Sequence, residues 1–188
     1  MDERPPLPVP DAARAVVRCI GATVVLLVRR RVHLPRRHVG ERLRFADGTS
    51  AVVYRETVVD RRDPDDPCVL VVEFRLRAVR GRGYVLFRWE GLFNTPLFVG
   101  FPGFVSKLWM ANDDKGVYRG LYEWDGPARA EAYARALWRV LALVSARGSI
   151  HYRVVPGLHR DEVLADPSVL GDVGTTAADE WWRPVAVA

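Results

Sequence analysis

Apolar positions recur along this chain with two periods, and the switches between them mark out its elements. Over residues 12–28, Val16, Val17, Ile20, Val24, Leu27 and Val28 fall at helical spacing, which predicts an amphipathic helix with Asp11 as its N-cap. The β-branched run at 23–28 leaves a strand open at its end. Ahead of it, Pro5, Pro6, Pro8 and Pro10 read as an extended lead-in. Residues 42–45 and 50–59 read as two strands joined by the turn Ala46-Asp47-Gly48-Thr49.

A charged, proline-broken stretch at 61–67 separates these elements from the main pattern. Residues 68–77 begin as a buried run and then alternate, with Val72, Phe74 and Leu76 opposite Glu73, Arg75 and Arg77. That is a strand with one wet face. Residues 84–101 are aromatic and apolar, and predict an irregular helix broken near Pro96. Strands are predicted at 104–111, with Val105, Lys107 and Trp109 on one face, and at 117–124, with Tyr118, Gly120, Tyr122 and Trp124 on one face. Asp125 is expected to cap a helix from Pro127 to about Arg147, its stripe formed by Ala130, Tyr133, Ala134, Leu137, Leu141 and Val144. A fourth strand over 149–155 and a short helix over 159–165 precede a tail containing Trp181 and Trp182.

The order strand, helix, strand, strand, helix, strand over 68–157 is the split β-α-β of α+β, ferredoxin-like domains: an antiparallel four-stranded sheet with helices on one face. Residues 1–67 then form a helix-and-hairpin extension, and 158–188 a short helix and tail. The second sheet face is half apolar, so a homodimer through facing sheets is the expected way to cover it.

Composition excludes a disordered, collagen-like or multi-span membrane protein: apolar residues are 49% and charged residues 27%. Residues 1–44 hold ten arginines against four acids, a local net charge of +6 in a chain whose total is +5. The basicity thus belongs to one segment, with solvated arginines as its ordinary meaning. An anionic membrane surface is a candidate partner for residues 12–38. Nucleic acid is disfavoured, because no recognised reading motif accompanies the arginines. The uncharged run is too short to span a bilayer, and the acidic, proline-rich start does not resemble a signal peptide. Cys19 and Cys68 supply neither a disulfide framework nor a zinc site, and a cytoplasmic location is expected. His33 and His38 are poor metal ligands in an arginine run, and there is no P-loop or Gly-x-Gly-x-x-Gly, so no metal and no cofactor is expected. Arg80-Gly-Arg-Gly83 is only a weak phosphate loop.

The stretch Phe101-Pro-Gly-Phe-Val-Ser-Lys-Leu-Trp109, with Asn112, Gly116-Val-Tyr-Arg-Gly-Leu-Tyr-Glu-Trp124 and Ala130-Glu-Ala-Tyr133, resembles the YdhR-type family of proposed mono-oxygenases, of the dimeric α/β-barrel superfamily. The shared pattern is a proline-glycine turn, a Lys-x-Trp strand, a Gly-x-Tyr strand and a helix with Ala-Glu-x-Tyr. Residues 1–67 have no counterpart in that compact domain, and His151 is not part of the pattern. The resemblance implies a sheet-to-sheet dimer with an apolar pocket between sheet and helices. Chemistries on that superfamily's pockets include cofactor-free oxygenation, isomerisation, cyclisation and dehydration, and fold does not choose among them.

The candidate pocket wall combines Lys107 and Trp109, Tyr118 and Tyr122, and His151 and Arg153, with Trp89, Phe93 and Phe98 from the segment opposite. A cofactor-free oxygenation needs a base that makes the substrate an electron-rich anion. His151 is the candidate base, and Arg119 or Lys107 would hold the anion. Trp109 and Tyr122, with Trp89, Phe93 and Tyr118, would bind an aromatic ring. The plain alternative makes Trp109, Tyr118 and Tyr122 core or interface aromatics, with Tyr133 packing on its helix. Three functions stay open: a cofactor-independent mono-oxygenase of phenolic or polyketide-like substrates; a cyclase, isomerase or dehydratase using the same pocket; and a non-catalytic ligand-binding or membrane-peripheral protein.

Overall fold

A computed structural model describes residues 5–60, 63–77, 95–111, 113, 115–171 and 180–188. The expected helix between 84 and 94, with Trp89, Glu90 and Phe93, and the loop at 80–83 lie outside the described residues. Its last expected residues form a 3₁₀ turn, Thr95–Leu97.

Helix α1 runs Val9–Val28, so it starts ahead of Asp11. Pro10 sits in its first turn, where a missing N–H costs nothing, and Asp11 adds a carboxylate at the positive helix end. The β-branched residues at 23–28 are helical throughout. After β1 (Val32–His33), β2 (Arg42–Phe45) and β3 (Ser50–Val59) form the expected hairpin. Strands β4 (Pro67–Arg75), β5 (Phe104–Met110), β6 (Val117–Asp125) and β7 (His151–Pro156) follow, with α2 (Pro127–Val144) between β6 and β7. Asp125 does not cap α2. Gly126 occupies that position at φ 100°, and Asp125 closes β6, where its carboxylate accepts from Asp66 N–H and Arg129. Helix α2 ends at Val144, three residues before the expected Arg147, and Ser145 turns into extended backbone.

The strand order β7-β4-β6-β5, all antiparallel, defines an α+β ferredoxin-like fold. The hairpin does not stand apart from it. Strand β3 pairs with β5, and β2 pairs with β8 (Pro184–Val187), a strand formed by the tail, so the sheet continues as β3-β2-β8. A register shift between Val53 and Arg55 lets β3 serve both neighbours as the sheet curls.

Two apolar cores result. One lies under α1 and α2, built on Leu70, Phe98, Phe104, Tyr122, Trp124 and Tyr133. The other lies on the opposite sheet face, where Val69, Val71, Leu108 and Leu121 meet Leu43, Phe45, Leu164 and Trp182. The elements covering it are α3 (Arg160–Ala165) and the turn Pro167–Leu170 beside the curled hairpin. Arg160 pins this cover to the sheet through a 2.8 Å bond to Glu56, both buried. The part of that sheet face carrying Val69, Val71, Leu108 and Leu121 is thus covered by the chain itself.

Candidate functional site

Cross-strand register decides which side chains meet. Thr57, Lys107 and Tyr122 lie directly opposite one another on β3, β5 and β6, and Arg55, Trp109 and Gly120 form the next row. Both rows face the helices. Phe98 and Leu137 close over them, and Phe74 stacks on Tyr118 with ring centroids 5.8 Å apart. The described residues enclose a cavity of about 140 Å³. Gly120 makes the space: a Cβ there would lie 2.7 Å from the Tyr122 ring. Trp109 is held by Nε1–H donating to Thr57 Oγ1 at 3.1 Å, and Tyr133 donates its hydroxyl proton to Tyr122 at 3.2 Å. The sequence did not single out Thr57 or Arg55, because nothing in it says that β3 lies beside β5.

Lys107 is the ionisable centre of this cavity. Its Nζ stands 3.2 Å from the ring centroid of Trp109, 4.6 Å from that of Phe98 and 4.7 Å from that of Tyr122. No carboxylate among the described residues pairs with it, and the guanidinium of Arg55 adds repulsion. Burial and that repulsion push the Lys107 ammonium well below the ordinary lysine range. Cation–π attraction recovers about 2 kcal/mol at a desolvated site. Desolvation of an unpaired ion costs several kcal/mol, so the balance shifts toward the neutral amine. Burial also raises the Tyr122 and Tyr133 phenols, which stay protonated.

His151 and Arg119 are elsewhere. His151, Glu73 and Arg119 form one cross-strand row whose side chains face the other side of the sheet. There His151 lies 5.9 Å from Trp181, ring to ring, at an open cleft of about 760 Å³. Arg119 is buried and clamped by three carboxylates: Asp113 at 2.8 Å, Asp47 at 3.0 Å and Glu73 at 3.2 Å. It ties the β2–β3 turn to β4 and to the loop before β6, and its donors toward the carboxylates are occupied. Burial raises the Glu73 carboxyl, while Arg119 and His151 oppose the rise. Arg153, on the same face as His151, lies over Trp182, its guanidinium 5.0 Å from the ring centroid. The structure thus brings together Lys107, Trp109, Tyr118 and Tyr122 with Phe98, and separates them by the sheet from His151 and the Arg119 guanidinium. Trp89 and Phe93 lie outside the described residues.

No family model matches the chain, and no curated protein matches it. Among solved structures it is similar to an uncharacterised ferredoxin-fold protein related to antibiotic biosynthesis monooxygenases, from Listeria monocytogenes 4b F2365 (12% identity, TM-score 0.41, covering 60% of this chain and 66% of that one). It is also similar to a monooxygenase-like protein from Listeria innocua (13% identity, TM-score 0.42, 60% and 66% covered) and to an anthrone oxidase-like protein (16% identity, TM-score 0.38, 59% and 55% covered). The match thus spans just under two thirds of the length of the first two. At these identities and scores the likeness says nothing of activity.

Proposed function

We propose that the cavity beneath α2 is the active site of a small-molecule enzyme, and that Lys107 is its base. The observation that carries this reading is a buried amine, without a carboxylate partner among the described residues, walled by three aromatic rings. Such an amine holds its proton less tightly than an exposed lysine, and in its neutral form it can take a proton from a bound phenol. The resulting ion pair is then held in a dry site where charge interactions are strong. The size of the space favours a single aromatic ring over a fused polycycle: a cavity of about 150 Å³ accommodates benzene.

The reaction in this reading is cofactor-independent oxygenation, one of the chemistries that the YdhR-type sequence resemblance leaves open. Lys107 removes the hydroxyl proton. The phenolate passes one electron to dioxygen, and the two radicals join at a ring carbon bearing hydrogen. Loss of water from that hydroperoxide, with the ring hydrogen leaving as a proton, gives a quinone. Phenol and dioxygen thus yield quinone and water, with dioxygen as both oxidant and oxygen source. His151, on the far face, has no part in these steps, and Arg119 serves the scaffold.

The test combines thermal shift with oxygen uptake on the purified chain. A phenol at about 100 times its Kd should stabilise the fold by about 2.7 kcal/mol and consume oxygen, and Lys107→Met should abolish both. Turnover that continues without oxygen would assign the cavity to isomerisation, cyclisation or dehydration. Failure of every phenol to bind would overturn the reading.

A further inference from the structure

Helix α1 packs on the domain the wrong way round for an ordinary surface helix. The side chains it buries are small: Ala12, Cys19 and Thr23 at 5%, 2% and 0% exposure. Cys19 and Thr23 both donate to the carbonyl of Pro96, and Gly100 lets the helix approach so closely that a Cβ there would lie 2.0 Å from the Cys19 carbonyl oxygen. Leu26 packs on the core, but most of the large apolar side chains point away. Val17, Val24 and Val28 are 69%, 53% and 79% exposed, and Ile20 and Leu27 lie on the same outward stripe, at the spacing i, i+3, i+7, i+10 and i+11 from Val17. A soluble domain has no reason to keep such a stripe in water.

Arginines frame the stripe. Arg14 and Arg18 lie along its far border, and Arg29, Arg30 and Arg31 follow the last turn, all exposed. Arg18, Arg29 and Arg30 have no carboxylate partner among the described residues. Arg30 stands at φ 53° in the turn that closes the helix, with Arg31 N–H returning to the Leu26 carbonyl and Arg30 N–H to that of Leu27. That left-handed position suits glycine and strains a side chain, yet an arginine occupies it. A second copy of α1 laid parallel on the stripe would bring these arginines against one another. The helix's one acid, Asp11, is already paired with Arg14.

We propose that α1 is an in-plane anchor that lays its outward valine–leucine stripe into the surface of an anionic lipid bilayer, with Arg14, Arg18 and Arg29–Arg31 on the headgroups. Among the described residues no helix is long and apolar enough to cross a membrane, so the helix lies on the surface rather than through it. The inference is independent of the cavity reading and survives its failure.

Flotation of the full chain with phosphatidylcholine vesicles, with and without phosphatidylglycerol, tests it. Binding should require the anionic lipid and weaken as salt rises, because each arginine near such a surface is worth about five-fold in partitioning. Replacing Val17, Val24 and Val28 together by Ser should abolish flotation with no loss of Tm, since these side chains touch water. Arg30→Gly should weaken it about five-fold while leaving Tm unchanged or higher. The proposal is overturned if the chain ignores both vesicles, or if the serine variant floats as well as the parent. A dimer in sedimentation velocity that the serine variant dissolves, without anionic-vesicle binding, would assign the stripe to a second copy instead.

Discussion

The side-chain nitrogen of Lys107 stands 3.2 Å from the centre of the Trp109 ring, two residues along the same strand and on the same face. The indole is fixed by Thr57 across the β3–β5 pair, and the Lys107 nitrogen also lies near the rings of Phe98 and Tyr122. This arrangement places the chain's one buried lysine where an acid would ordinarily be needed to hold it.

Stability should therefore depend on pH through this residue. With its folded pKa below the unfolded value of about 10.4, the unfolded chain holds a proton over an interval where the native chain does not. Stability rises with pH across that interval and is lowered by a constant amount beneath it. Lys107→Met should raise stability at neutral pH by about 1–3 kcal/mol, or about 2–4 °C in Tm per kcal/mol. It should also flatten that part of the profile in denaturant titrations. If Lys107 is the base, turnover of a phenol rises with pH to a plateau and the variant has none.

The two charged residues on the other face should separate cleanly from catalysis. His151→Ala should keep oxygen uptake within about two-fold of the parent. Arg119→Met leaves Asp47, Glu73 and Asp113 facing one another without their cation. A loss of about 3–5 kcal/mol is expected in urea denaturation, against little loss for the histidine variant.

Gly120→Ala tests the cavity wall. The new methyl meets the Tyr122 ring at 2.7 Å, and that ring lines the cavity beside Lys107. Phenol affinity should fall about ten-fold, equal to about 1.4 kcal/mol, in calorimetric titration. Stability should change by less than the loss expected for Gly100→Ala, whose methyl would strike backbone of α1. For that variant about 1–3 kcal/mol and release of α1, seen as faster amide exchange over 12–23, are the expected outcomes.

Both cysteines should be inert. Burial pushes the Cys68 thiol up to about 12, with Asp66, Asp125 and Glu123 adding to it, and raises Cys19 as well. Both are less thiolate-forming than a free cysteine, and both are buried, so iodoacetamide should label the native chain far more slowly than the urea-unfolded one, as read by mass spectrometry.

Much of the strand pattern was legible because side-chain alternation is a local property. The hairpin at 42–59, the faces of β5 and β6, and the stripe of α2 from Ala130 to Leu137 all follow from spacing within one segment. Helix ends were less legible. Asp125 looks like a cap in sequence, yet it is drawn into the sheet by its pairing with Pro67 and leaves Gly126 at the helix start. The tail strand, Pro184–Val187, carries no pattern of its own and exists because β2 offers it an edge.

The candidate site divides along the same line. By itself the sequence determined that Lys107 shares a face with Trp109, Tyr118 with Tyr122, and His151 with Arg153, since residues two or four apart on a strand must point the same way. Only the tertiary structure decided which of those faces look at each other. His151 pairs in register with Glu73, and Glu73 with Arg119, so the histidine joins the odd-numbered face of β4 and the aromatic pairs join the even-numbered one. A shift of one residue in either ladder would have exchanged them. Register is set by contacts between segments nearly ninety residues apart, so no local pattern records it.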